Sequence, residues 1–384
     1  MKIKAGVIFG GKSVEHEISI VTAIQAMDKI DTEKYEIVPI YITKELEWYT
    51  GGCLRYIDSF KDYDLIRRYA RKVNLINKDN RYILQSTGFF KREINYIDLA
   101  FPMVHGAGAE DGSIQGYLEV TGVPYVGSGV YSSAVGQDKV FMKQILEANK
   151  IDVVKYEWFT IDDYQNEKEE LFQRIDKMHY PIILKPASLG SSIGIEVVKQ
   201  KEELDSALDR VLKYDDKAMA EELLSDIREF NCAVLKSDGR IQISAVEEII
   251  NDKDYRKYSD KFIWDNDDNA VVKREFPANI SKKLEEEIKD ISLRSFKILN
   301  NTGVARFDFF YDNKTKKIYV DEINTIPNFL THHMWGDLNI NYKTLMDLLI
   351  EDAISKVKRR DNMNLTIDSD ILKKITSRNI KDLK

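Results

Sequence analysis

Cysteine is scarce in this 384-residue chain, with Cys53 and Cys232 the only two. Two thiols cannot build a disulfide framework and their spacing fits no zinc motif, so a reducing cytoplasm is the expected setting. Also missing is any uninterrupted apolar stretch of roughly 18 residues, which argues against a membrane-spanning helix. The amino-terminal MKIKAGVIFGG has a basic start, but its short apolar run meets Gly-Gly and then charges. It reads as a strand, not a signal peptide. Surplus positive charge is lacking too: the net charge of -7 opposes a general attraction to nucleic acid or to an anionic membrane. No internal repeat or low-complexity tract is evident.

What is there is an ordinary globular composition, 43% hydrophobic and 32% charged, in a chain long enough for two or three domains. Short β-rich runs (IKAGVIF, YEIVPIYIT, YIDLAFPMV) alternate with helical patterns in the first third, which predicts a parallel sheet flanked by helices. The polar and aromatic segment 45–95 looks like hairpins added to that unit. VVKYEWFTI, PIILKPA, IGIEVV and KAMAEEL then read as strands separated by charged helices. FNCAVLK, RIQISAVEEII, VARFDFFYD and KIYVDEIN have the period-two patterning of a largely antiparallel sheet. The expected division is an α/β unit over 1–137, a central unit over 138–229, an α+β unit over 230–357 and a charged tail over 358–384. The tail reads as an amphipathic or terminal helix.

Residues with chemical potential fall in four clusters. In PIILKPASLGSSIGIEVV a strand ends at Lys185-Pro186, passes Gly190, Ser191, Ser192 and Gly194, and resumes as a strand. Glycine N–H groups, serine hydroxyls and a lysine fixed on a strand can cradle phosphates. This is not a Walker A loop, and alone it is more often a plain hairpin. In VARFDFFYD and IYVDEINTIP, period two puts Arg306 and Asp308 on one face, and likewise Glu322 and Asn324. If those strands are neighbours, Asp308, Glu322 and Asn324 present hard oxygen ligands for Mg²⁺, with Arg306 beside them to stabilise negative charge. A merely solvated polar face is disfavoured, because these groups interrupt strongly apolar strands.

GVIFGGKSVEHEIS combines a strand, a Gly10-Gly11 turn and a helix start in which Ser13 can cap and Glu15 falls in the first turn. Glu15 there is either a partner for an ammonium group or an ordinary first-turn stabiliser. FPMVHGAGAEDGSIQG places His105 at a strand end before a glycine-rich turn, where ligand sites of open α/β sheets collect. A structural histidine is the competing reading.

Together these clusters resemble the D-alanine–D-alanine ligase family of the ATP-grasp superfamily, in order and spacing, from residue 3 to about residue 355. GGKSVEHEIS, HGAGAEDGSIQG, PYVGSGVYSSA followed by QDK, ILKPASLGSSIG, VARFD and EINTIP carry the resemblance. It implies a three-domain ATP-grasp fold with an amino-terminal parallel-sheet domain. ATP would lie between the central and carboxyl-terminal units, with two Mg²⁺ ions and Mn²⁺ as a substitute. Lys139, Lys185 and the Ser191 loop would meet the phosphates, and Glu221, Leu224 and Glu229 the adenine and ribose. Asp308, Glu322 and Asn324 would hold metal, Arg306 the oxyanion, and Glu15 the first D-alanine's ammonium. An omega loop would add Lys261.

The same resemblance implies a γ-phosphoryl transfer to the first carboxylate, then attack of the second amine on the acyl phosphate. The product would be D-alanyl-D-alanine for peptidoglycan precursors, made by a cytoplasmic homodimer with no nucleic-acid or membrane partner. Departures from the family's text include one conservative change beside Lys139 and others that bear on the second substrate. Gln137-Asp138-Lys139 stands for Met-Asp-Lys, Phe262 for a tyrosine, Pro327-Asn328 for Pro-Gly and His333 for a serine. The omega segment also looks longer than usual. His105, Phe262, Asn328 and His333 are therefore the candidate second-substrate residues. D-serine, D-lactate or another small dipeptide remains an alternative product. A catalytically decayed nucleotide sensor is disfavoured by the retained Arg306, Asp308, Glu322 and Asn324.

Overall fold

The computed structural model describes residues 2–364 apart from 107, 109, 191 and 252–271, together with 367 and 369. Its first unit starts with β1 (Ile3–Gly10), α1 (His16–Lys29), β2 (Tyr35–Ile42) and β3 (Trp48–Thr50). It continues through α2 (Tyr63–Tyr69), β4 (Arg71–Lys78), β5 (Arg81–Ser86), β6 (Glu93–Ile97), β7 (Leu99–Pro102), α3 (Ser113–Thr121) and α4 (Val130–Gln137). The seven strands form one sheet in the order β6-β5-β4-β3-β2-β1-β7. β1 runs parallel to both β2 and β7, as expected for strands buried on both faces, and its last six residues are all buried. The 45–95 segment supplies the antiparallel extension of this sheet, since β3 to β6 pair in hairpin succession onto β2.

The central unit comprises α5 (Lys139–Ala148), β8 (Tyr156–Thr160), α6 (Ile161–Asn166), α7 (Lys168–Ile175), β9 (Ile182–Pro186), β10 (Glu196–Val198), α8 (Leu204–Val211) and β11 (Lys217–Glu222). Its four strands are antiparallel in the order β10-β9-β11-β8. Asp138 caps α5, accepting from the N–H groups of Val140 (2.9 Å) and Phe141 (3.0 Å), a cap worth about 1 kcal/mol.

The third unit holds β12 (Ile227–Ser237), β13 (Arg240–Ile243), β14 (Glu247–Asn251), β15 (Val272–Glu275), α9 (Lys282–Ile298), β16 (Gly303–Asp312), β17 (Ile318–Asn324) and α10 (Tyr342–Asp361). Its sheet is antiparallel throughout, β15-β14-β12-β16-β17 with β13 on β12. A 3₁₀ stretch, Asn328–Leu338, precedes α10. Trp335, Leu345, Leu349 and Ile350 are buried in the same core as Phe9, Ala23 and Met27 of β1 and α1. Each large aliphatic side chain there contributes about 1.5–3 kcal/mol, so the end of the chain ties the third unit to the first. The 137/138 position falls at the end of α4, 229/230 inside β12 and 357/358 inside α10. Lys358, Arg359 and Arg360 belong to the last turn of that helix, where cations complement the dipole.

Candidate active site

The first wall grows from the end of β1. Gly10 has φ +92°, and a Cβ on it would lie 2.2 Å from the Ile42 carbonyl, so only glycine lets the chain turn here. The Ser13 hydroxyl donates to the His105 carbonyl (2.7 Å) and accepts from the Glu15 N–H (3.1 Å). The expectation that Ser13 caps α1 and that Glu15 lies inside its first turn is thus corrected. Glu15 itself occupies the N-cap position without a side-chain cap bond, because Ser13 is spent on tying two loops together. The Glu15 carboxylate is buried between them. A Cβ on Gly106 would sit 3.0 Å from its Oε2, and one on Gly190 3.8 Å from both oxygens. His105 is buried, with Nδ1 3.5 Å from Glu110 Oε1 and Nε2 without a hydrogen-bond partner among the described residues.

The central unit supplies lysines. Lys139 Nζ donates to the Leu189 carbonyl (2.8 Å) and lies 3.2 Å from Glu322 Oε2. Lys185 Nζ is 2.5 Å from Glu221 Oε2 and 3.0 Å from Asp321 Oδ1, and Lys143 Nζ is 2.5 Å from the other Glu221 oxygen. Burial alone would lower the Lys185 pKa, but Asp321 and Glu221 raise it above the usual lysine range. Burial works to raise Glu221, and the two lysines overcome it and hold that carboxyl below its usual range.

The third wall is the β16–β17 pair. Asp308 faces Glu322 and Arg306 faces Asn324 across the ladder, so the neighbouring strands required by the sequence reading are present. Arg306 grips Asp308 in a two-point bond, Nε to Oδ1 and Nη2 to Oδ2, both 2.6 Å. Asn324 Nδ2 donates to Asp308 Oδ2 at 3.3 Å. Burial pushes the Asp308 carboxyl up to about 6 against the pull of Arg306, with Glu322 and Asp321 adding repulsion. Burial likewise opposes the Arg306 charge, and Asp308, Glu322 and Glu247 outweigh it and raise its pKa.

All three walls line one cavity of about 1040 Å³. Glu15, His105, Lys139, Lys185, Gly190, Ser192, Glu221, Leu224, Glu229, Arg306, Asp308, Glu322 and Asn324 all reach it. His333 does not. Its Nε2 lies 2.8 Å from Oε1 of Glu247, a buried carboxylate that also accepts from Asn231 Nδ2 (3.1 Å) and lies 3.7 Å from Arg274 Nη1. Asn231 and Arg274 do line the cavity, so His333 stands one residue behind its wall. Asn328 opens the 3₁₀ stretch, its side chain outside the described set. Ser191, Lys261 and Phe262 also lie outside the described residues.

Three residues at or behind the cavity wall are not singled out by the sequence. Asp321 reaches the cavity because a bulge after Asp308 leaves it unpaired between Val320 and Glu322, whereas strict alternation points it to the opposite face. Lys143 is buried on the apolar stripe of α5 with Val140, Met142 and Leu146, and a lysine on such a stripe was the available signal. Glu247 was one of two adjacent glutamates, and only the register of β14 on β12 distinguishes them.

Comparison with known proteins turns on the whole length of the chain. The family model described as "D-ala D-ala ligase N-terminus" matches residues 4–128, and "D-ala D-ala ligase C-terminus" matches 145–351. The chain belongs to the D-alanine–D-alanine ligase family. A D-alanine–D-alanine ligase of Thermosipho melanesiensis is 38% identical over 374 residues, 97% of this chain and 98% of that protein. Among solved structures, the D-alanine–D-alanine ligase from Coxiella burnetii superposes with TM-score 0.78 at 31% identity, covering 94% of this chain and 96% of that one. The VanG D-Ala:D-Ser ligase from Enterococcus faecalis gives 0.77 at 29%, covering 92% and 100%. A Bacillus anthracis D-alanine–D-alanine ligase complexed with ATP gives 0.68 at 26%, covering 94% and 99%. The fold is ATP-grasp, a mixed parallel sheet followed by two units with antiparallel sheets. Among the described residues no helix is long and apolar enough to cross a membrane.

Proposed function

We propose that this chain joins two D-alanine molecules at the expense of ATP, in the cytoplasm, to supply D-alanyl-D-alanine for peptidoglycan precursors. The observation that carries the reading is the single cavity in which Lys139 and Lys185 face Asp308, Glu322 and Asn324, with Glu15 at its far wall. A carboxylate and an amine do not condense in water, so the first carboxylate must become a better electrophile. In this reading Glu15 takes the first ammonium and orients its carboxylate toward the γ-phosphate. Lys139, Lys185 and the loop through Gly190, Ser191 and Ser192 position the phosphates, and Glu221, Leu224 and Glu229 seat the adenosine. Lys261 joins them from the omega segment. The carboxylate oxygen takes the γ-phosphoryl group as ADP leaves, the second substrate's amine, having lost its ammonium proton, attacks the resulting acyl phosphate, and phosphate leaves, with the remaining amine proton released as the amide forms, while Arg306 steadies the oxyanion.

The donor set also fits a divalent cation. Lys139, Lys143, Lys185 and Arg306 are each paired with Glu221, Asp308, Asp321 or Glu322, so this wall holds little spare positive charge for a triphosphate. Mg²⁺, two ions with Mn²⁺ as a substitute, would supply that charge when held by Asp308, Glu322 and Asn324 together with phosphate oxygens. Among the described residues no group of three His, Cys, Asp or Glu side chains could hold a metal ion alone. Because Asp308 titrates at about 6, its carboxylate form is fully available only above that. Mg²⁺ with a non-hydrolysable ATP analogue should therefore raise Tm more at about pH 7.5 than at about pH 5.5. An equal rise at both values would remove Asp308 from the metal site.

The direct test is phosphate release from ATP with D-alanine, D-serine and D-lactate as acceptors, with product analysis. Glu15→Gln should raise the KM for the first D-alanine about tenfold or more and leave the KM for ATP unchanged, since a neutral amide loses the ammonium's partner. A raised ATP KM with an unmoved D-alanine KM would place Glu15 elsewhere. The acceptor end is assigned to His105, Phe262, Asn328 and His333, with His333 acting through Glu247, Asn231 and Arg274. In His333→Ser the Glu247 carboxylate loses its imidazole hydrogen-bond partner, so its own charge is less offset at that end. Amine acceptors should then gain over D-lactate, and identical partition in both proteins would remove His333 from acceptor choice. The expected assembly is a homodimer, measurable by light scattering.

A further inference from the structure

Lys143 is an ammonium group with no exposed surface, and the reaction described above does not use it. It projects from α5 between Met142 and Leu146 and does not reach the cavity. Its neighbour is Glu221 Oε1 at 2.5 Å, an ion pair whose approach is off the hydrogen-bond direction. The other Glu221 oxygen holds Lys185, which also meets Asp321. Two lysines and two carboxylates thus form one buried, formally neutral chain, and Lys185 is the cation in it that opens onto the cavity.

We propose that Lys143 is a positioning residue for the nucleotide phosphates: by holding one oxygen of Glu221 it keeps the chain neutral and leaves Lys185 aimed at the triphosphate without itself touching it. This rests on the ATP-dependent reading above. Without Lys143, the charge on Lys185, Glu221 and Asp321 sums to one negative, and Lys185 is drawn between two carboxylates. An incoming triphosphate then meets a wall of its own sign. A purely structural Lys143 predicts instead a loss of stability with analogue binding unchanged in the folded protein, since removing one partner of a buried pair leaves an uncompensated charge.

The experiment compares Mg²⁺ with a non-hydrolysable ATP analogue, titrated calorimetrically into wild type, Lys143→Met and Lys143→Met/Asp321→Asn, with D-alanine KM measured alongside. Lys143→Met should weaken analogue binding by about tenfold or more while D-alanine KM stays within about twofold. The double variant, neutral again, should recover to within about threefold of wild type, a coupling that loss of packing cannot produce. A folded Lys143→Met that binds the analogue like wild type overturns the proposal, as does a double variant no better than the single. If the single variant does not fold, a double variant about tenfold or more weaker than wild type overturns it as well. A wild type that does not bind the analogue would instead remove the ATP reading beneath it.

Discussion

Glu322→Gln should abolish turnover, lowering kcat by about 10³-fold or more, while the fold stays in place. The side chain is 21% exposed and opens onto the cavity, so the isosteric amide neither leaves a void nor loses an apolar contact. What it loses is charge. Glu322 is the proposed metal carboxylate opposite Asp308, and it also pairs with Lys139, one of the two lysines assigned to the phosphates. A neutral amide weakens both arrangements, and each bears on charge that develops during phosphoryl transfer. Stability should move the other way, because Glu322 is one of the carboxylates that push Asp308 up. Removing it relieves that repulsion, so Tm should be unchanged or slightly raised above about pH 6. Near-normal phosphate release from the purified variant with D-alanine would end the metal assignment. A large drop in Tm would mean that Glu322 is structural.

Asp308, Glu322 and Asn324 were legible before any coordinates because strand periodicity is a local property. Two polar residues spaced by two in an apolar strand share a face, and pairing of neighbouring strands then brings the faces together. The β16–β17 ladder meets that condition. Asp321 was not legible, since the bulge that turns it inward depends on how the ladder closes, which no local pattern encodes. His333 illustrates a different limit. Its place in the chain relative to the family's serine could be read, but its bond to Glu247 joins residues 86 apart in sequence and depends on the whole third sheet. The 45–95 segment was legible as hairpins because each of its strands pairs with the next, so the signal was local again. Charge neutrality of the Lys143, Glu221, Lys185 and Asp321 chain could not be read at all, for it assembles α5, β9, β11 and β17.

Arg306→Met should cost both activity and stability, and the two losses should separate with pH. The guanidinium makes two bonds of 2.6 Å to Asp308, and the two side chains are only 18% and 19% exposed. Removing one partner of such a pair leaves an uncompensated carboxylate, which costs about 3–5 kcal/mol when fully buried, and the partial exposure here favours the lower end. Asp308 already titrates at about 6 with Arg306 present, so without it the carboxyl rises further. A folded-state pKa above the unfolded one means that the folded protein holds a proton the unfolded chain has lost. The destabilisation is then complete above the folded pKa and fades as pH falls toward the unfolded value near 4. The Tm deficit of Arg306→Met should thus be large at about pH 8 and small at about pH 4.5. Adding Asp308→Asn should recover most of the lost Tm at about pH 8, because a neutral amide needs no counter-charge. Activity should not follow, since the double variant lacks both the oxyanion cation and a metal carboxylate, and kcat should stay at least about 10²–10³-fold down. A Tm deficit independent of pH would assign Arg306 to packing, and turnover within about tenfold of wild type in Arg306→Met would remove it from the reaction.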